Sequence, residues 1–206
     1  RFVNEADSYH RFVMAMQANQ AANSPCFLIC DQTALSAYGM GLARPAPVSN
    51  LELIQSGYLV EADTVSGLAA KIGVDADALS ATVENFNASA VKGADPEFNR
   101  GATSYNVSMG DPDHKPNACL APLEKGPFYA IRIFTGDLGS ARGLRTDASA
   151  RVLDGENVPI AGLYAVGNDM NSMMNGTYPG PGITLGPALT FGYLAALDAA
   201  KKTTRN

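Results

Sequence analysis

The stretch Gly167–Ala196, GNDMNSMMNGTYPGPGITLGPALTFGYLAA, decides how the rest of the chain is read. A loop dense in glycine and proline runs from Gly176 to Gly182 and carries one tyrosine, Tyr178. Thr184, Leu185 and Gly186 form a turn, and a helix pattern opens on Pro187. Proline suits the first helical position, because its missing N–H is not needed there. The first turn of such a helix offers free N–H groups and partial positive charge to an anion or an electron-rich oxygen. Glycines just before it let a flat ligand approach the backbone. The stretch therefore reads either as a helix N-terminus presented to a ligand, with a phenol beside it, or as a surface loop capped by an ordinary helix.

Working outward, 206 residues suffice for one domain or two small ones. Hydrophobic residues are 46% and charged residues 17%, the balance of a globular chain. The net charge is −5 and no basic run exists, which argues against nucleic acid and anionic membranes as partners. No apolar run reaches 18 residues, so no transmembrane segment is expected. No signal peptide is expected either. The opening Arg1-Phe2-Val3-Asn4-Glu5 reads as an entry in mid-fold, as in a fragment or a processed product. Cys26, Cys30 and Cys119 make an odd count, which fits reduced thiols in a cytoplasmic protein. With only His10 and His114 beside them, buried thiols are expected and a metal site is not.

Asp7 or Ser8 can cap a helix through Tyr9, Phe12, Val13 and Met16, whose spacing would make Tyr9 a core tyrosine. Pro25 breaks that pattern. Phe27–Ile29 reads as a short buried strand, with a helix starting at Asp31. Residues 51–56 make a helical turn and 58–61 a short strand. Asp63 or Thr64 caps a helix closed by Gly73, and Asp75 caps a longer one closed by Gly93. Residues 94–126 are irregular. Beyond them, Phe128–Phe134 is a β-type run, Gly143–Thr146 and Arg151–Leu153 look like paired strands, and Leu163–Val166 is a buried strand. The expected fold class is α+β, with a helical part over 1–125 and a β-rich part over 126–206.

No Gly-x-Ser-x-Gly elbow, Walker loop or glycine-rich dinucleotide fingerprint is present. The remaining candidates are tyrosines, backbone amides and a helix dipole. That set suits reaction beside a carbonyl. A phenol can donate to an oxygen or, as phenolate, take a proton. A phenol and an N–H aimed at one carbonyl form an oxyanion hole.

Arg1-Phe2-Val3-Asn4-Glu5, KIGVDADALSATVENFNA (71–88), ADPEFNRG (94–101), KPNACLAPLEKGPFYAI (115–131) and GTYPGPGITLGPALTFGYLAA (176–196) resemble flavoproteins of the fumarate reductase and 3-ketosteroid dehydrogenase superfamily. The likeness covers essentially the whole chain but only the C-terminal part of those proteins. It implies that 1–125 is a cap or substrate domain. Residues 126–206 would be the C-terminal portion of an FAD-binding α/β domain. The N-terminal FAD-binding half would be supplied by the same protein or a partner chain. Fumarate reductases carry an arginine where Tyr9 stands, and a His…Asn-Arg pattern where 175–182 has no cation. A dicarboxylate would have no partner there. Tyrosines at both positions resemble the ketosteroid Δ1-dehydrogenases. That likeness implies Tyr9 as the base, Tyr178 with the Gly182 N–H as the carbonyl clamp, and hydride transfer to flavin N5. It also implies FAD contacts from Asn168 and Asp169. The turn of Thr184, Leu185 and Gly186, with Ala188 and Leu189, would face the flavin ring, their plainer role being helix packing. The implied substrate is a 3-ketosteroid or similar cyclic ketone. The alternatives are an ene-reductase acting on an activated double bond, and a catalytically incomplete module.

Overall fold

A computed structural model describes residues 2–18 and 25–203. The chain divides into two compact units, residues 1–135 and 136–206. The division lies ten residues beyond the one expected from sequence, because the run at 128–133 pairs with strands of the first unit.

In the first unit, β1 (Cys26–Asp31), β2 (Val60–Ala62) and β3 (Phe128–Ile133) form an antiparallel sheet in the order β1-β3-β2. Asp31 stands opposite Phe128 and Cys26 opposite Ile133, while Val60 faces Ala130. Side chains alternate between the faces of a strand, and both faces are covered here. Leu28, Tyr129 and Ile131 pack with Leu35, Met40 and Leu59. Phe27, Ile29, Phe128 and Ala130 pack with Ala62, Leu68 and Ile72. Burial on both sides explains why β3 opens on the apolar run Phe128–Ile131, with exposed Arg132 after it.

Six described helices belong to this unit: α1 (Tyr9–Gln17), α2 (Gln32–Tyr38), α3 (Leu51–Gln55), α4 (Val65–Ile72), α5 (Ala76–Lys92) and α6 (Ser104–Met109). Their starts follow local chemistry. Ser8, Asp31, Thr64, Asp75 and Thr103 each accept a hydrogen bond from an N–H in the following turn. Gly73 and Gly93 end α4 and α5 in the left-handed conformation. Helix α6 lies inside the segment expected to be irregular. Helix α1 ends at Gln17; the expected break at Pro25 falls after residues 19–24, which lie outside the described residues.

The second unit contains a hairpin, β4 (Arg151–Leu153) and β5 (Pro159–Tyr164), and α7 (Leu185–Thr203). Asp154 builds the hairpin turn by accepting the N–H groups of Glu156 and Val158, each at 2.9 Å. Its small core is Val152, Ala165 and Met170 with Phe191. Two expectations are corrected. The strand before Gly167 is Pro159–Tyr164, not 163–166, and it is exposed along most of its length, with burial confined to Ala165 just after it. The pairing of 143–146 with 151–153 is shorter than expected, a single bridge between Thr146 and Val152 flanked by hydrogen bonds from the Leu153 N–H to the Arg145 carbonyl and from the Asp147 N–H to the Arg151 carbonyl.

Candidate functional site

Tyr9 is the first residue of α1, held there by Ser8. The Ser8 hydroxyl accepts the Arg11 N–H at 3.4 Å, and the Asp7 carboxylate accepts the Ser8 N–H at 2.7 Å. Ser8 is buried, yet Tyr9 is 48% exposed. The apolar spacing that would make Tyr9 a core tyrosine therefore misjudges its face. Met16 is the buried residue of this helix, and Tyr9 is half-exposed.

The segment leading into α1 is tied to residues 95–106. The Arg100 side chain, 2% exposed, donates to the Val3 carbonyl at 2.7 Å and pairs with Glu5 at 2.9 Å and Asp95 at 2.7 Å. Its guanidinium also lies 5.3 Å from the Phe86 ring centroid and 4.9 Å from that of Phe98. Buried Asn106 donates to the Ala6 carbonyl at 2.8 Å. Reading the sequence misses both residues. Its one clue is the pair Asp95 and Arg100 inside an otherwise polar loop. A mostly apolar cavity of about 910 Å³ adjoins the segment, lined by Val3, Phe27, Leu79, Phe86 and all three cysteines among others. The cysteines are half-buried rather than fully buried, and burial with the neighbouring Asp31 charge pushes the Cys30 thiol up to about 12.

In the second unit the Tyr178 loop leads directly into α7. Gly176 and Gly182 take φ of +75° and +96°, values that favour glycine. The Gly186 N–H donates to the Gly182 carbonyl at 2.8 Å, and the Ala188 N–H to Thr184 at 3.2 Å. Helical bonding thus starts at Gly182, five residues before Pro187, and corrects the expected turn at 184–186. Among the described residues, the amides of Gly182, Ile183, Thr184 and Leu185 have no helical partner in this pattern. The Gly186 and Ala188 amides are spent on the Gly182 and Thr184 carbonyls, and Pro187 has none. Asn168 and Asp169 lie in a single 3-10 turn, Gly167–Asp169, that packs against α7. Gly167 is bare for a reason: a Cβ there would stand 3.2 Å from that of Ala188. Asn168, Asp169, Leu185 and Leu189 are exposed, and Tyr178 is partly buried. The structure gathers Tyr178, Gly182, Asn168, Asp169 and the start of α7 into this unit, and Tyr9 into the other.

A helix start with four amides that have no helical partner, beside a turn backed by glycine, is a cradle for an electron-rich flat group. Residues 1–185 match the FAD binding domain family, and the chain belongs to that family. Over 98% of its length it is 46% identical to a 4-oxocyclohex-2-ene-1-carboxylate 5-dehydrogenase of Sinomonas cyclohexanicum, and covers 34% of that protein. It is 42% identical, over 97% of its length, to a 3-oxosteroid 1-dehydrogenase of Mycolicibacterium smegmatis, of which it covers 36%. The solved 3-ketosteroid Δ1-dehydrogenase of Sterolibacterium denitrificans, in complex with 1,4-androstadiene-3,17-dione, superposes on 98% of the chain with a TM-score of 0.88 and 43% identity. The chain covers 37% of that structure. It thus spans about a third of the length of the relatives it matches.

Proposed function

We propose that this chain supplies the cap domain and the closing portion of the FAD domain in an FAD-dependent dehydrogenase that desaturates a 3-ketosteroid or similar cyclic ketone. The relatives' names share a ring ketone next to the bond that is oxidised. The observation that carries the reading is the turn at Gly182, four residues after Tyr178, whose carbonyl accepts the Gly186 N–H and leads the chain into α7.

Tyr9, exposed at the start of α1, takes the proton from the carbon beside the ketone. The Tyr178 hydroxyl and the Gly182 N–H donate to the ketone oxygen and stabilise the negative charge that develops there. The dipole at the start of α7 would stabilise negative charge on the reduced flavin ring. Asn168, Asp169 and the amides up to Leu185 hold FAD, and Gly186 and Ala188 give it clearance. When bound, FAD accepts the hydride from the adjacent carbon. The remainder of the FAD pocket comes from an N-terminal half that the relatives' greater length accommodates. No described helix is long and apolar enough to cross a membrane, and three cysteines without a disulfide suit a cytoplasmic setting.

The test is reduction of flavin by a 3-ketosteroid in the complete FAD-loaded protein. Tyr9→Phe and Tyr178→Phe are each expected to lower kcat by about 10²–10³. Wild-type rates in both variants would sink the assignment.

A further inference from the structure

Residues 3–8 have no regular secondary structure of their own, yet they decide where α1 begins. Their polar groups are gripped from one short stretch of chain, 95–106. The Val3 carbonyl and the Glu5 carboxylate take the Arg100 fork, at 2.7 Å and 2.9 Å through Nη2, with Nε a further 3.1 Å from Glu5. The Ala6 carbonyl takes the Asn106 amide at 2.8 Å, and Asn4 reaches back to the Phe98 carbonyl at 3.4 Å. Arg100 and Asn106 are each 3% exposed. The stretch that supplies them is itself knitted together: Asn117 donates to the carbonyls of Gly93 and Arg100, each at 3.0 Å, and Cys119 donates through sulfur to the Asn106 carbonyl at 3.1 Å.

A buried cation and a buried amide are a poor way to gain stability. Apolar side chains of similar volume often serve as well or better. What the polar clamp adds is direction, because each bond fixes one atom of the leader. The leader ends at the Ser8 cap, and Tyr9 follows at once.

We infer that Arg100 and Asn106 are positioning residues for Tyr9, fixing the start of α1 so that the phenol meets the carbon beside the ketone. This rests on the reading of Tyr9 as the base. A misplacement of about 1 Å costs about 10² in rate even when the reacting groups are intact. The clamp works through Tyr9 and touches neither substrate nor cofactor.

The experiment is a double-mutant cycle in the complete FAD-loaded protein, with Asn106→Ala, Tyr9→Phe and the double variant. It measures kcat and KM with a 3-ketosteroid, and amide exchange over residues 3–9. Asn106→Ala is chosen because it leaves the Arg100–Asp95 pair in place. It is expected to lower kcat about tenfold with KM little changed, to speed exchange across 3–9, and to cause no further loss when added to Tyr9→Phe. Arg100→Lys keeps the charge but loses the fork, and is expected to slow kcat in the same direction. The proposal is overturned if Asn106→Ala lowers kcat by the same factor in the wild-type and Tyr9→Phe backgrounds, or leaves kcat unchanged while exchange rises. A wild-type rate in Tyr9→Phe removes the base itself. That failure is told apart from the first by the slow Tyr9→Phe background that the first requires.

Discussion

Asp95 is pulled two ways. Burial raises its pKa, while the Arg100 amide and guanidinium and the Glu97 amide lower it, and the lowering wins. Its ionised form is therefore stabilised by folding. A carboxylate held below its ordinary value contributes stability that is fully present above the unfolded value of about 3.9 and is lost as pH falls through the folded value. Among the described residues, Asp95→Asn leaves buried Arg100 with partly exposed Glu5 as its charged partner, and a broken buried pair costs about 3–5 kcal/mol. The expected result is a lower urea midpoint at pH 7, with the gap to wild type closing below about pH 4. A gap that stayed constant down to about pH 2 would show that the charge of Asp95 is immaterial. At this scale the sequence is a partial guide. Tyr178 stands out by the glycine- and proline-dense loop around it, whereas Tyr9, one of eight tyrosines, is singled out only by the family resemblance. Arg100 is marked only by Asp95 five residues before it, and its pairing with Glu5, 95 positions away, has no local sign.

Elements are readable where their cause is local. Ser8, Asp31, Asp75, Gly73 and Gly93 can be assigned as caps because a cap acts within four residues. The start of α7 is misplaced when Pro187 is taken as the first helical residue, because a proline anywhere in the first turn lacks only an unneeded donor. Strand β3 reads as the opening of the second part, although its partners lie in the first, because pairing is set by the fold and not by neighbours in sequence. The two helix-ending glycines permit a matched test. Gly73 (φ +74°) faces open space, whereas a Cβ on Gly93 (φ +68°) would stand 2.5 Å from the Pro116 ring. Gly73→Ala is expected to cost about 1 kcal/mol, from backbone strain alone. Gly93→Ala should cost about 2–3 kcal/mol, strain and overpacking together. Urea unfolding with unchanged slope reads both, and equal midpoints would remove the packing role of Pro116.

Across the whole molecule, the most telling surface belongs to α7. Leu185, Leu189, Tyr193 and Leu197 recur every fourth residue, and the first three are 66–74% exposed. Such a stripe normally faces a core or a partner. Ile160 and Leu163 on β5 add exposed apolar surface in the same unit. Purified by itself, the chain is therefore expected to self-associate and to retain no FAD, since its 206 residues include no glycine-rich pyrophosphate loop. Leu189→Glu should shift it toward monomer by light scattering without lowering its melting temperature. A yellow, monomeric wild-type chain would contradict both expectations. Sequence alone does not identify the missing surface, because an apolar stripe states that something covers it and not what.

The order of the sheet carries a consequence for synthesis. The central strand β3 pairs with β1, but almost a hundred residues separate them in the chain. At about 5–20 residues per second, a ribosome takes about 5–20 s to deliver β3 after β1 has emerged. Throughout that interval Cys-Phe-Leu-Ile-Cys has a bare edge and two apolar faces short of their partners. The helices that follow can shelter it only in part, because the cores they join are completed by Phe128, Tyr129, Ala130 and Ile131. A strand destined for both cores therefore waits, with its edge and faces unpartnered, until β3 follows.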